Sequence, residues 1–294
     1  MLDYKTLFRN KSFRMKILKL LDFVPDSVMV RVQYFLSTGR KLNINGGRFT
    51  EKIQNYKLNY RNDLITQCSD KYLVRKFVEE RGLGKYLVPL IGVYNNAEQI
   101  DFNDIPESFV LKTNNGSHTN IICESKKSLE LDQVRNDMNL WLGDWEGKVG
   151  REWSYYNIEP KIICEKLLPK DSRGDLVDYK FFCFDGEPHF LYVIEDRFLE
   201  GGIKLGIYDA EFKRIPANRS DIAPLLRDVE KPGSFSDMVD IARVLSKGFP
   251  HVRVDLYNID GRIYFGEMTF YDGSGYKGYI PDSFDYEVGS KFLL

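Results

Sequence analysis

The stretch "HVRVDLYNIDGRIYFGEMTF", His251 to Phe270, decides the fold. Arg253, Asp255 and Tyr257 alternate with Val254 and Leu256, a period of two that marks a strand and puts Arg253 and Asp255 on one face. A second alternating run follows Ile259-Asp260-Gly261, so the two runs read as a β-hairpin. A three-residue turn with Gly261 in the left-handed position places Asp255 opposite Phe265 and diagonal to Glu267, on the same face, with Thr269 following. A two-residue turn at Asp260-Gly261 would send Glu267 to the other face. Two carboxylates converging across a hairpin suit Mg2+ that is also held by nucleotide phosphates. The alternative is an Asp255 paired only with Arg253 or another cation.

Upstream, "LVDYKFFCFDGEPHFLYVIEDR" contains two apolar runs joined across "DGEP", a second hairpin. Asp178 and Lys180 face one way, and Val177, Tyr179, Phe181 and Cys183 the other. Two charges in so apolar a strand predict a charged cleft; the plainer reading is a solvent-facing sheet surface. Arg197 would add a cation aimed at a transferring phosphoryl group. "KLGIYDAEFKRI" suggests a further strand pair. "SDMVDIARVLSKGFP" predicts a helix with Met238, Ile241, Ala242 and Leu245 on one face, ended by Gly248 and Pro250.

In the first half, "SDKYLVRKFVEERGLG" predicts a helix capped by Ser69 or Asp70, with a Leu73, Phe77 and Val78 stripe and a stop at Gly82. "YLVPLIGVY" and "SFVLKT" read as strands, and the second ends at Lys112 and runs into the polar loop "NNGSHTN". A P-loop needs GxxxxGK[ST] leading into a helix. Here the lysine precedes Gly116 and a strand-like "NIIC" follows, which excludes a Walker-type NTPase. What remains is Lys112 as a fixed cation, with Gly116, Ser117 and Thr119 as donors for a phosphate chain, or else a solvated hairpin turn. A helix over "SLELDQVRNDMNLWLGDW" separates this loop from the buried strand "PKIICEKLL". Helices alternate with strands, but many neighbouring strands are hairpins, so the class is α+β with antiparallel sheets.

A chain of 294 residues, 43% hydrophobic and 29% charged, has the profile of a soluble globular protein with one large domain or two lobes. A net charge of −1 gives no electrostatic case for a nucleic-acid partner. Cys68, Cys123, Cys164 and Cys183 lack CxxC spacing and do not pair with His118, His189 or His251 as zinc ligands, so they read as buried thiols in a reducing cytoplasm. Residues 1–60 read as a polar helical segment. It begins with Lys5, Arg9, Lys11, Arg14, Lys16 and Lys19 among apolar residues, a basic amphipathic pattern suited either to packing on the main body or to peripheral contact with the inner membrane surface. Lys19 and Asp22 interrupt it as a signal peptide.

Taken in order, "DKYLVRKFV", "FVLKTNNGS", "IICEKLL", "DYKFFCFDG", "VRVDLY" and "YFGEMTFYDGSG" resemble ATP-grasp enzymes, most closely the TupA-like branch associated with teichuronopeptide and other cell-surface polysaccharides. The resemblance implies two α+β lobes clasping ATP, over residues 61–165 and 166–294, behind the helical segment 1–60. It implies that Lys71 and Lys112 contact phosphates and that Asn114–Asn120 is a mobile lid, with Asn115, Gly116 and Ser117 at the nucleotide. Glu165, Lys166 and Leu168 belong to the implied hinge that meets adenine. Lys180 and Arg197 are implied as cations near the γ-phosphate, Arg253 as a third catalytic group, and Asp255 and Glu267 as Mg2+ ligands. Many members place an asparagine ligand where this chain has Thr269. Asp178 and the loop with Asp272, Gly273, Ser274 and Gly275 are implied to face substrate. The implied reaction is amide formation through an acyl-phosphate, joining an amino acid to a uronic acid carboxylate, with ATP and Mg2+ as cofactors. Alternatives are a kinase or small-peptide ligase on the same fold, a non-catalytic nucleotide-binding module, and a glycosyltransferase, for which no strand-terminal DxD is present.

Overall fold

The computed structural model describes residues 20–117, 119–143, 149–171, 173–199 and 201–294. The basic segment read at residues 1–19 and His118 lie outside the described residues.

Among the described residues, the helices α1 (Asp26–Thr38), α2 (Phe49–Asn59), α3 (Asp63–Ser69) and α4 (Val74–Glu80) precede the first strand. Asp70 caps α4 as the sequence suggests, its Oδ1 accepting the Tyr72 and Leu73 amides at 2.7 and 3.1 Å. Gly82, at φ +74°, ends it. The buried stripe is Val74, Phe77 and Val78; Leu73 is exposed, because it precedes the first helical turn and projects off the packed face. β1 (Leu90–Tyr94), β2 (Phe109–Thr113), β3 (Asn120–Cys123) and β4 (Ile162–Lys166) form a sheet in the order β1-β4-β2-β3, antiparallel throughout. α5 (Leu131–Leu142) contributes Val134 and Met138 to its core with Phe109, Leu111, Ile162 and Cys164.

The second sheet runs β11-β10-β5-β6-β7-β9. Its members are β5 (Asp178–Phe184), β6 (Glu187–Glu195), β7 (Lys204–Asp209), β9 (Ala223–Pro224), β10 (His251–Ile259) and β11 (Arg262–Thr269), and only β7–β9 is parallel. β8 (Asn218–Arg219) pairs with β12 (Tyr279–Ile280), and α6 (Phe235–Ser246) and α7 (Asp282–Lys291) complete an α+β fold. "KLGIYDAEFKRI" makes one strand and a single bridge, Tyr208–Arg214, rather than a pair. The Asp209 side chain accepts the Glu211 and Lys213 amides and curls the chain out of the ladder.

Alternation along β5 separates two environments. Phe181 and Cys183 meet α6 through Phe235 and Ala242. On the opposite face, Phe182 and Phe184 pack on Phe49 of α2, at ring distances of 6.1 and 6.0 Å, while Asp178 and Lys180 occupy the other end of that face. Each phenylalanine taken fully out of water contributes roughly 1.5–3 kcal/mol. The face is covered at its aromatic end, so it is not a solvated sheet surface. The two sheets meet where Leu87 bridges Phe265 of β11 just before β1 begins, with Val88, Ile259 and Tyr264 clustered beside the junction.

The β10–β11 register corrects one expectation and rescues its consequence. The turn has two residues, Asp260 (φ +50°) and Gly261 (φ +85°), so Ile259 pairs with Arg262 and Leu256 with Phe265. That register alone would throw Glu267 to the far face. A bulge at Gly266 inserts one extra residue, and beyond it Asp255 pairs directly with Glu267 and Arg253 with Thr269. A Cβ at Gly266 would lie 3.1 Å from the Asp255 carbonyl oxygen and 3.2 Å from the Tyr257 ring. Gly266→Val should therefore destabilise the protein by about 1–3 kcal/mol in urea titrations.

His251, fully buried, stacks on Phe184 at 4.7 Å, and its Nδ1 donates to the Cys183 carbonyl at 3.0 Å. Burial pushes the imidazole down from 6.5 to about 4. The unfolded chain then takes up a proton that the folded chain refuses, so this contribution is present above pH 6.5 and is lost as pH falls toward 4. His251→Phe should flatten the fall in stability between pH 6.5 and 4, measured by urea unfolding across that range.

Candidate active site

Direct pairing places rows of side chains across one face of the large sheet. Lys180, Asp255 and Glu267 form one row on β5, β10 and β11. Phe182, Arg253 and Thr269 form the row on one side of it, and Asp178, Tyr257 and Tyr264 the row on the other. The guanidinium of Arg253 lies at the centre. Its Nε and one terminal nitrogen each donate to Asp255 at 2.7 Å, and that nitrogen also reaches Glu267 Oε1 at 3.1 Å and Thr269 Oγ1 at 2.9 Å. The other terminal nitrogen donates to Asp272. Lys180 bonds Asp255 and stands 3.9 Å from Asp178, which Arg197 also holds. One Asp178 oxygen, Oδ1, is buried with no hydrogen-bond partner among the described residues.

The electrostatics follow from this crowding. Burial pushes the Asp255 carboxyl up, against Arg253 and Lys180. Burial also acts on Glu267, but Lys71, Lys180 and Arg253 together hold that carboxyl well below the usual range, so it stays charged. Lys71 is pushed down by burial, with Glu267 opposing. Lys71 precedes α4, and it thereby links the hairpin carboxylates to the small sheet.

On the small sheet Lys112 pairs with Glu165 at 2.7 Å, and Arg75 reaches the same carboxylate at 3.2 Å. Lys71 donates to the Gly116 carbonyl. Asn114 is fully buried: its Nδ2 donates to Asp70 at 2.9 Å and to the Glu159 carbonyl at 3.0 Å, and its Oδ1 accepts the Lys161 amide at 2.7 Å. That anchoring takes Asn114 out of the loop that the sequence reads as a mobile lid; the loop beyond begins with Asn115, whose Oδ1 has no partner among the described residues. Thr113 and Thr119 close its base, hydroxyl to hydroxyl at 2.7 Å. Lys166 is exposed and its amide bonds the Pro89 carbonyl, while Leu168 packs at the junction between the sheets.

The loop after β11 is divided. Asp272 joins the cluster through Arg253, and Arg219 of β8 approaches its other oxygen at 3.4 Å. Gly273 and Ser274 turn in left-handed conformations, and the Ser274 and Gly275 carbonyls are taken by Gln54 and Lys57 of α2. Of the four loop residues read as facing substrate, Ser274 and Gly275 thus have their backbone tied into α2, while Asp272 sits in the charged cluster. Lys57 is buried there, donating at 2.9 Å to Ser274 and 3.0 Å to Gly150, and burial pushes its amine down to about 7. Lys57, Gln54 and Arg219 were not singled out in the sequence. The signal for α2 was the spacing of Phe49, Ile53 and Tyr56, which puts Lys57 beside an apolar stripe.

The donor set suits a hard cation in kind: two adjacent carboxylates and a hydroxyl, with Glu267 Oε2 taking no hydrogen bond from a described residue. No group of three or more His, Cys, Asp or Glu arranged as a metal site occurs among the described residues, so further ligands would come from phosphate or water.

Two sheets meeting over a lysine and carboxylate row, with a lysine-flanked hairpin loop on the smaller one, have the layout of an ATP-grasp protein. The chain belongs to the TupA-like ATP-grasp family, whose model matches residues 51–293. Among solved structures it is similar to a D-alanine–D-alanine ligase from Bacillus anthracis complexed with ATP, at 15% identity and a TM-score of 0.40, covering 69% of this chain and 54% of that one. It is also similar to an L-amino acid ligase from Bacillus licheniformis, at 13% identity and a TM-score of 0.45, covering 92% of this chain and 57% of that one. The chain thus spans little more than half the length of each. No curated protein matches it.

Arg253 is the one described cation paired with all three of Asp255, Glu267 and Asp272. Arg253→Met should leave Asp255 and Asp272 buried, each with one cation fewer, and cost about 3–5 kcal/mol in denaturant unfolding at neutral pH.

Proposed function

We propose that the protein is an ATP- and Mg2+-dependent carboxylate–amine ligase. The observation that carries this reading is the Lys180–Asp255–Glu267 row on one sheet face, with Lys71 coupled to Glu267 from the side of the small sheet. Nucleotide phosphates need cations and metal-binding carboxylates within one cleft, and the family match supports that use of these groups.

Lys71 and Lys112 would hold the phosphate chain, and the backbone of Asn115, Gly116 and Ser117 would cover it. Glu165, Lys166 and Leu168 would meet adenine between the lobes 61–165 and 166–294. Mg2+ at Asp255 and Glu267, with Thr269 beside them, would screen phosphate charge and polarise the γ-phosphoryl group. Lys180 and Arg197 would neutralise charge on the phosphoryl oxygens during transfer, and Arg253 would orient Asp255 and Glu267. Asp178 would hold Lys180 and Arg197 in place, and Asp272 would border the acceptor. A substrate carboxylate oxygen attacks the γ-phosphorus and ADP leaves. An amine nitrogen then attacks the acyl carbon, phosphate leaves, and the nitrogen loses a proton. Closing the loop over the site keeps water from the acyl-phosphate. The family's association with teichuronopeptide and other cell-surface polysaccharides supports a uronic acid carboxylate and an amino acid as the joined partners, in the cytoplasm where ATP is supplied.

The test incubates the protein with ATP, Mg2+, a panel of uronic acids and pooled amino acids, following ADP release and product mass. Amine-dependent ADP release and a product lighter than its two parts by one water are expected. Asp255→Asn and Glu267→Gln should each weaken Mg2+-dependent ATP binding by more than about tenfold. Amine-independent ADP release points to a kinase, and unchanged metal-dependent binding in both variants overturns the site.

A further inference from the structure

Asp255 is crowded with donors. Its Oδ1 takes Arg253 Nε at 2.7 Å, and its Oδ2 takes both an Arg253 terminal nitrogen at 2.7 Å and the Lys180 ammonium. Glu267 differs: Oε1 accepts from Arg253 and Thr269 at 3.1 and 3.2 Å, and Oε2 accepts nothing from a described residue. One of these two carboxylates is therefore open, and the other is closed by N–H donors. Arg253 is not free to leave, because its fork also holds Asp272, Glu267 and Thr269. Lys180 is. Among the described residues it makes one hydrogen bond, on a flexible stem, and Asp178 Oδ2 stands 3.9 Å from its ammonium. Asp178 is almost wholly buried, and its Oδ1 has no hydrogen-bond partner among the described residues. A buried carboxylate oxygen left without a donor is costly, and an ammonium within one rotamer change of it supplies the missing bond.

Charge sets the condition for that move. Asp178, Asp255, Glu267 and Asp272 meet Lys180, Arg197 and Arg253 in direct ion pairs, and Lys71 acts on Glu267 through its field. Four carboxylates thus face four cations. Arg219 reaches Asp272 as well but is matched by Asp221. A poorly solvated face with no net charge gains little from a bare divalent cation, which Lys180 and Arg253 repel. A triphosphate changes the sign. It brings more negative charge than the divalent cation brings positive, and it gives the Lys180 ammonium new oxygens to bond.

We infer that Lys180 guards Asp255, so that the protein takes a divalent cation tightly only together with nucleotide phosphates. This inference rests on the reading of Asp255 and Glu267 as metal ligands and adds the order in which the site fills. Until phosphates arrive, the Lys180 ammonium holds Asp255 Oδ2. With them it turns to Asp178 and the phosphate oxygens, and Asp255 is released to ligate. The movement that opens the metal ligand also brings a cation to the phosphate chain, so the two events are coupled through one side chain.

The test measures Mn2+ binding to the full chain by water proton relaxation enhancement, which reports the ion held on the macromolecule, with and without AMP-PNP. Wild-type protein is expected to bind Mn2+ at least about tenfold more tightly when AMP-PNP is present. Lys180→Met should raise the nucleotide-free affinity at least about tenfold, whereas Lys180→Arg, which keeps the charge, should not. Asp178→Asn removes the carboxylate that draws Lys180 away and should weaken Mn2+ binding in the presence of AMP-PNP. Circular dichroism and urea midpoints verify that each variant folds. Equal nucleotide-free affinity in the wild type and Lys180→Met overturns the inference. If Lys180→Met does not fold, unchanged AMP-PNP-assisted binding in Asp178→Asn overturns it instead. Asp255→Asn separates the inference from the site reading: if that variant loses the Mn2+–AMP-PNP complex while Lys180→Met gains nothing, the guard is refuted and Asp255 stays a ligand.

Discussion

The guanidinium of Arg253 organises the charged face of this protein. Asp255 and Asp272 are almost wholly buried, and Glu267 stands beside them, so without a central cation three carboxylates would repel one another in a poorly solvated space. A planar fork of donors can face all of them at once, which a lysine at this position could not do. Because Arg253 also bonds Thr269, one side chain ties together β10, β11 and the loop that follows them. The positions of Lys180 and Arg219 follow from the same centre, each paired with a carboxylate that Arg253 already holds.

This arrangement exists only because β11 carries one residue too many for its turn. Asp260 and Gly261 both take positive φ, as two-residue hairpin turns require, and the bulge at Gly266 then returns Glu267 to the face of Asp255. The small sheet answers with Lys112 and a loop pinned at both ends of its base, by Asn114 on Asp70 and by Thr113 on Thr119. Asp70 thus caps α4 with one oxygen and fixes the loop with the other. Lys71, next in sequence, spans the gap between the sheets electrostatically. A phosphate chain entering the cleft would meet cations that are already held in position, and preorganisation of that kind is what phosphoryl transfer demands.

The N-terminal helices take part in this construction. α2 buries Phe49, Ile53 and Tyr56 against the large sheet and presents Gln54 and Lys57 to the carbonyls of the loop after β11. A buried lysine whose amine is pushed down to about 7 is costly unless its donors are satisfied, and three acceptors satisfy it here. The segment that read as a polar helical preface is therefore part of the wall behind the loop.

Strand alternation, Phe77 and Val78 in the stripe of α4, the Asp70 cap and the glycine stops were legible in the sequence because each is a local preference, expressed within a few residues of itself. So was the set of groups that carry charge, since Lys112, Lys180, Arg253, Asp255 and Glu267 stand out in otherwise apolar strands. Pairing is different. Whether Asp255 faces Glu267 depends on which of two turns forms and whether a bulge follows, and a single glycine gives no local sign of either. The position of Arg219 beside Asp272, fifty-three residues apart, and of Lys57 beneath Ser274 rests on packing between distant elements. Tertiary structure settled these because a side chain's partners are chosen by the register and crossing of whole strands and helices, which no window of neighbouring residues contains.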